Sequence, residues 1–192
     1  MTREDLEHLI RAASAITNEY DLVIIGSQSI LGKYPNAPKG CLQSNEADLM
    51  VLGDLEKAER VADLIDGSIG ECSPFMECYG YYAQGVVEGT AVLPKGWKER
   101  LVKIQNQNTN LKVGWCLDPL DLACSKLIAS REKDIHFIKE MLKHDLINQA
   151  EFKKRLENMD LEASKIKQMQ EKVDTMGSKL NPRSRPKTKA SN

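Results

Sequence analysis

The chain has 192 residues, 41% hydrophobic and 29% charged, enough for one globular domain with a real core and a short appendage. Its net charge of -1 conceals an asymmetry, because residues 1–147 carry 16 Lys and Arg against 22 Asp and Glu, whereas residues 148–192 carry 11 against 6. That balance excludes a broad basic platform for nucleic acid in the front part, and apolar runs of no more than four residues exclude a membrane-spanning helix, which needs roughly 20.

Five cysteines, Cys41, Cys72, Cys78, Cys116 and Cys124, contain no CxxC pair. Their odd number and the charged start MTREDLEHL, which lacks a secretory leader's apolar run, predict reduced thiols and a cytoplasmic protein.

In chain order, Leu6, Leu9, Ile10, Ala13 and Ile16 recur at helical spacing and predict a helix over 2–18, with Thr2 and Asp5 as its cap. The apolar run 22–25, bounded by Asp21 and Gly26, predicts a buried strand. Residues 28–32 open a second helix, and Pro35, Pro38 and Gly40 mark a loop over 33–45. A second strand is expected over 47–52, then a helix over 54–66 with Leu55, Ala58, Val61, Ala62 and Ile65 on one side. Between 67 and 115 glycines and aromatics replace helical periodicity, so short strands are expected around 80–87, 101–105 and 113–117. Pro119 begins a helix to 130, and another spans 132–144.

Residues 148–176 follow a heptad-like spacing through Phe152, Leu156, Met159, Ala163, Ile166 and Val173, which predicts one long amphipathic helix of coiled-coil character. Such a stripe has to cover apolar area on its own domain, in a homodimer, or on a partner protein. Residues 177–192 are basic, carry two prolines and are expected to be disordered. The expected organisation is therefore a domain over 1–147, a helical extension over 148–176 and a tail over 177–192.

The chemistry concentrates in a strand, Gly26-Ser27, a helix, a loop, and Glu46-Ala47-Asp48-Leu49 opening another strand. A Gly-Ser turn ending a buried strand lets the backbone approach a phosphate. Carboxylates at i and i+2 on a strand point to one side, and two hard oxygen ligands suit Mg²⁺ bound together with substrate phosphates. His8, His136 and His144 are expected on helices away from these acids, Cys72 and Cys78 in a loop, and Phe75, Tyr79, Tyr81 and Tyr82 in sheet packing.

This pattern resembles the nucleotidyltransferase fold of the DNA polymerase beta superfamily. The segments GSQSILGKYPNAP, EADL, ADLIDGSIGE, SPF, GYYAQGV, TAVLPKGWKERLV, NTN and GWCLDPLDLACSKLIASREKD are similar to a family of uncharacterised bacterial nucleotidyltransferase-like proteins, relatives of the toxins of abortive-infection toxin–antitoxin pairs, over roughly residues 5–147. The resemblance implies an α/β (α+β) domain with a small mixed sheet flanked by helices. It also implies Mg²⁺-dependent (or Mn²⁺-dependent) transfer of NMP from an NTP to a hydroxyl of an RNA, such as a tRNA end, or of a protein. Gly26 and Ser27 would then hold the triphosphate, Glu46 and Asp48 the metal, and Lys126 would face the nucleotide, with Arg131 and Asp134 completing its signature.

Three features depart from the family pattern. Glu46 stands where active members carry Asp, 18 residues separate Ser27 from Glu46, and the third carboxylate, the base of the reaction, is missing, with Gln84 near its expected place and Glu88 just beyond. The competing expectation is a catalytically silent protein of the same fold that dimerises, or docks an antitoxin-like partner, through 148–176.

Overall fold

A computed structural model describes the backbone of residues 1–180 and the side chains of residues 1–178. Residues 181–192, most of the segment expected to be disordered, lie outside the described residues. No helix of the described residues is long and apolar enough to cross a membrane.

Helix α1 (Arg3–Thr17) starts in a capping box, in which Thr2 and Asp5 exchange side-chain and backbone hydrogen bonds, and ends at Asn18 in the left-handed conformation. The five strands are β1 (Asp21–Ile25), β2 (Glu46–Met50), β3 (Tyr82–Gly85), β4 (Val102–Ile104) and β5 (Val113–Cys116). They form one mixed sheet of order β3-β2-β1-β5-β4, antiparallel for β1/β2 and β4/β5 and parallel for β1/β5 and β2/β3. The second strand begins at Glu46 rather than Ala47, which takes both acids of the EADL segment into the ladder.

Helix α1 packs on one face of the sheet together with α3 (Leu55–Ile69), whose first turn is capped by Asp54. Two glycines allow the close approach. A Cβ on Gly114 would stand 2.4 Å from Ile10 Cδ1, and one on Gly85 would stand 2.2 Å from the carbonyl oxygen of Ala62. Between them lie Leu6, Leu9, Ile10, Leu22, Ile24, Ala47, Leu49, Ile65 and Ala83, all fully buried. Because side chains alternate along a strand, burying Ala47 and Ala83 on this face aims Glu46, Asp48, Tyr82 and Gln84 at the other.

Short α2 (Ile30–Lys33) follows β1, and α4 (Pro74–Tyr79) precedes β3. Helix α4 has no counterpart among the sequence expectations: Ser73 caps it and Pro74 starts it, but six residues are too few to show a period. The expected aromatic packing is there, in an altered form. Phe75, Tyr79 and Tyr81 gather around His8, with ring centroids 4.7–6.0 Å apart, while Tyr82 turns to the opposite face. The NTN segment is structural: its Asn108, with Asn106 just before it, donates to buried Glu7 at 2.9 and 2.8 Å respectively, pinning the turn before β5 to α1.

Beyond the sheet, α5 (Pro119–Ala129) and α6 (Glu132–Lys143) stand as expected. The single helix expected over 148–176 does not. It is divided into α7 (Gln149–Leu156) and α8 (Ala163–Leu180), a hairpin in which α7 packs on α5 and α8 on α6 and α7. Of the stripe read as a coiled-coil seam, Phe152, Leu156, Met159 and Val173 are buried within this chain, together with Met169 and Met176, whereas Ile166 is half-buried and Ala163, at the start of α8, is exposed. The break carries no Gly or Pro, so periodicity could not reveal it. Tertiary packing decides it: reversing the chain covers the stripe on its own domain.

Charge pairing fixes the hairpin as well. Asp121, with no exposed surface, accepts hydrogen bonds from Arg100 at 2.9 and 3.0 Å and also from Arg155 of α7. Lys153 pairs with Asp174 at 2.7 Å, and a Cβ on Gly177 would stand 2.1 Å from Gln149 Oε1, so the two helices touch closely.

Candidate functional site

Strand β1 ends where β2 begins, and the antiparallel register sets Ile25 against Asp48. The next residue, Gly26, has φ +69°, and a Cβ there would stand 1.8 Å from Asp48 Oδ2. Only glycine lets the turn pass this close to the carboxylate. A 3-10 turn over Ser27–Ser29 follows, held by Ser29, whose Oγ donates to the Gly26 carbonyl at 2.8 Å. Fully buried Gln28 ties this turn to the loop before β2 through Nε2, which donates to the Ser44 carbonyl at 2.8 Å.

Glu46 and Asp48 share the cleft face of β2, close enough for the charge of each to act on the other. Burial first, then the neighbouring Glu46 charge, pushes the Asp48 carboxyl up to about 6, against the pull of Lys126 and Arg131. Glu46 Oε2 also accepts from the Tyr82 hydroxyl at 2.8 Å. Burial, followed by that hydrogen bond and the Glu46 charge, raises the phenol's pKa.

Helix α5 brings Lys126 to the Gly-Ser turn. Its ammonium group is almost wholly buried, donates to Ser27 Oγ at 2.8 Å and Asp134 Oδ1 at 3.2 Å, and lies 4.6 Å from the centroid of the Phe137 ring. Burial lowers the lysine's pKa, and Asp134 offsets part of that fall. Burial alone would raise the Asp134 carboxyl, but hydrogen bonds from Arg131 and Lys126 outweigh it and hold the group below its ordinary range. Arg131 Nε donates to Asp134 Oδ2 at 2.6 Å, and its side chain remains 62% exposed. One buried carboxylate thus steadies two cations, one inside the site and one at its rim.

Of these groups, Gly26, Ser27, Glu46, Asp48, Lys126 and Arg131 line one cleft of about 660 Å³, a usual size for a small-molecule site. All five residues singled out from the sequence, Gly26, Ser27, Glu46, Asp48 and Lys126, meet there. His136, expected away from the acids, lines the same cleft with Lys133 and Phe137, because the left-handed Ser130 between α5 and α6 turns the start of α6 back over the site. Two helices joined by a tight turn leave no such direction in the sequence. Loop residues Thr90, Ala91 and Val92 form part of the lining.

Gln84 stands opposite Asp48 in the parallel β2/β3 ladder and lines the cleft, so the position beside the acid pair carries an amide. Glu88 is engaged elsewhere, in an exposed ion pair with Lys98 at 2.7 Å. No group of three or more His, Cys, Asp or Glu side chains converges among the described residues. The donor set is still the kind a hard cation takes. Two carboxylates crowd together on one face, and the turn at Gly26 passes directly beside the Asp48 carboxylate.

The model of the family described as "Nucleotidyltransferase of unknown function (DUF6036)" matches residues 4–180. The match takes in α7 and α8, which the sequence resemblance had left outside the family unit at residue 147, in keeping with their packing on α5 and α6. No curated protein and no solved structure matches the chain.

Proposed function

The chain belongs to this nucleotidyltransferase family, and from that premise we propose that it binds an NTP with Mg²⁺ and transfers the NMP group to an acceptor on an RNA or a protein. The observation that carries this reading is the meeting of the Gly26-Ser27 turn, the Glu46/Asp48 pair and Lys126 in a single cleft. Gly26 and Ser27 would seat the phosphates. Lys126, held by Ser27 and Asp134, would balance charge gathering on the departing pyrophosphate, and Arg131 would receive the outer phosphates at the rim. Glu46 and Asp48 would hold the metal ion, which when bound supplies Lewis-acid polarisation of the phosphoryl oxygens. Five free cysteines suit a cytoplasmic setting, where NTPs are abundant.

A second reading, a protein that binds the nucleotide without transferring it, draws support from Gln84 opposite Asp48. The two separate in one assay. Each α-³²P-labelled NTP is supplied in turn with Mg²⁺ or Mn²⁺ to total RNA and to the protein alone, for wild type and Asp48→Ala, beside isothermal titration of the same Mg²⁺-NTPs. Label that appears with one nucleotide and disappears in the variant supports transfer. Heat of binding without label supports the silent protein, and no heat with any NTP refutes both.

A further inference from the structure

The position beside the acid pair bears on the acceptor, an inference that rests on the transferase reading above. Gln84 is exposed to the cleft, in register with Asp48, and shares its face of β3 with Tyr82, which bonds to Glu46. Two other carboxylates near the cleft are committed, and Glu71, whose charge reaches Tyr82, is not among the lining residues. Asp134 is fully buried between Lys126 and Arg131, and Glu88 is paired outside with Lys98.

A hydroxyl nucleophile has to lose a proton as it attacks, and a carboxylate next to Asp48 would take it. An amide has no basic atom at neutral pH. Its N–H groups do donate to an anion, which a carboxylate in the same place would repel. We infer that the acceptor oxygen arrives already ionised, as the oxygen of a phosphate monoester, and that Gln84 is the residue that selects it.

The step then balances without a base. The monoester oxygen attacks the α-phosphorus and a new P–O–P bond forms. The bond from the α-phosphorus to the oxygen bridging it to the β-phosphorus breaks, and pyrophosphate leaves with that electron pair. No proton moves. One phosphoanhydride replaces another, so the exchange is close to energetic balance, which the mixed anhydride formed from a carboxylate acceptor would not be. Lys126 and Arg131 already share Asp134, so the cation left for the added negative charge is Lys133, which lines the cleft and makes no ion pair among the described residues.

The test uses the full chain, Mg²⁺ and the α-³²P-labelled NTP that binds in titration. Acceptor probes are inorganic phosphate, glucose 1-phosphate, and a short RNA with a blocked 3′ end carrying either a 5′-phosphate or a 5′-hydroxyl. Wild type should label phosphate probes at least about tenfold faster than the hydroxyl RNA, and Gln84→Glu should reverse that order. Which phosphate probe is labelled separates a small metabolite from an RNA end. Without turnover, titration of the 5′-phosphorylated RNA onto protein holding Mg²⁺ and a non-hydrolysable NTP analogue should weaken about tenfold or more in Gln84→Glu, while the 5′-hydroxyl RNA is unaffected. Preference for the hydroxyl RNA in wild type overturns the inference and turns attention to His136 as the base. So does the absence of label from every phosphate probe. Failure of Mg²⁺-NTP to bind at all is a different result, and would sink the transferase reading itself.

Discussion

Replacing Asp48 by asparagine should make the metal-free protein more stable, by an amount set by pH. In the folded protein the Asp48 carboxyl is held near 6, against its ordinary value of 3.8, because it is buried next to Glu46. The folded state therefore keeps this proton more tightly than the unfolded chain does, so the stabilising effect of the bound proton fades as pH rises from about 4 to about 6. Above that window the folded protein carries the full cost of an ionised Asp48, about 2–3 kcal/mol. Asparagine has the same shape, can donate to Glu46, and carries no such cost. Thermal unfolding in EDTA should therefore give Asp48→Asn a midpoint roughly 5–10 °C above wild type at about pH 7.5, converging with it only below about pH 4. Mg²⁺ should narrow the difference at the higher pH, since a cation gives the ionised wild-type pair a partner that the variant half lacks. A variant less stable than wild type at pH 7.5, or a gap that does not change with pH, would refute the electrostatic account of the site.

Other consequences follow from the same geometry. Lys126→Met should weaken Mg²⁺-NTP binding by about 10–100-fold in titration, and the loss of Asp134's inner partner should also lower the melting temperature. Asp121→Ala should cost about 3–5 kcal/mol in denaturant unfolding, because it leaves Arg100 and Arg155 without their shared buried carboxylate. Truncation after Ile147 should yield aggregated protein rather than a folded domain, since it removes buried Phe152, Leu156, Met169 and Val173 from α5 and α6; a soluble, cooperatively melting fragment would contradict the cis packing. Alkylation of the native protein near pH 8 should add two groups, at exposed Cys72 and Cys78. Burial pushes the Cys41 thiol up to about 11 and the Cys116 thiol up to about 12, and Cys124 is raised as well, which mass spectrometry of the adducts would register.

Periodicity and turn chemistry determine much of this protein without help from the tertiary structure. The Thr2–Asp5 cap, the apolar run before Gly26 and the Pro119 start of α5 are local signals, and each appears where the sequence places it. The acid pair is legible for the same reason, because residues two apart on any strand point to one side. What the chain alone does not contain is direction between elements. Nothing in ENMDLE announces that α7 and α8 fold into a hairpin; the reversal exists because a stripe ending in Met169, Val173 and Met176 finds its cover on α6 and α7. Nothing in REKDIHF tells that exposed His136 lines the cleft of the acids, since that depends on how α6 leans after Ser130. The cleft itself is likewise a tertiary result. Lys126 reaches Ser27 across 99 positions of sequence, and Gln84 stands beside Asp48 only because β3 joins β2 in parallel, pairings set by burial of the opposite face against α1 and α3.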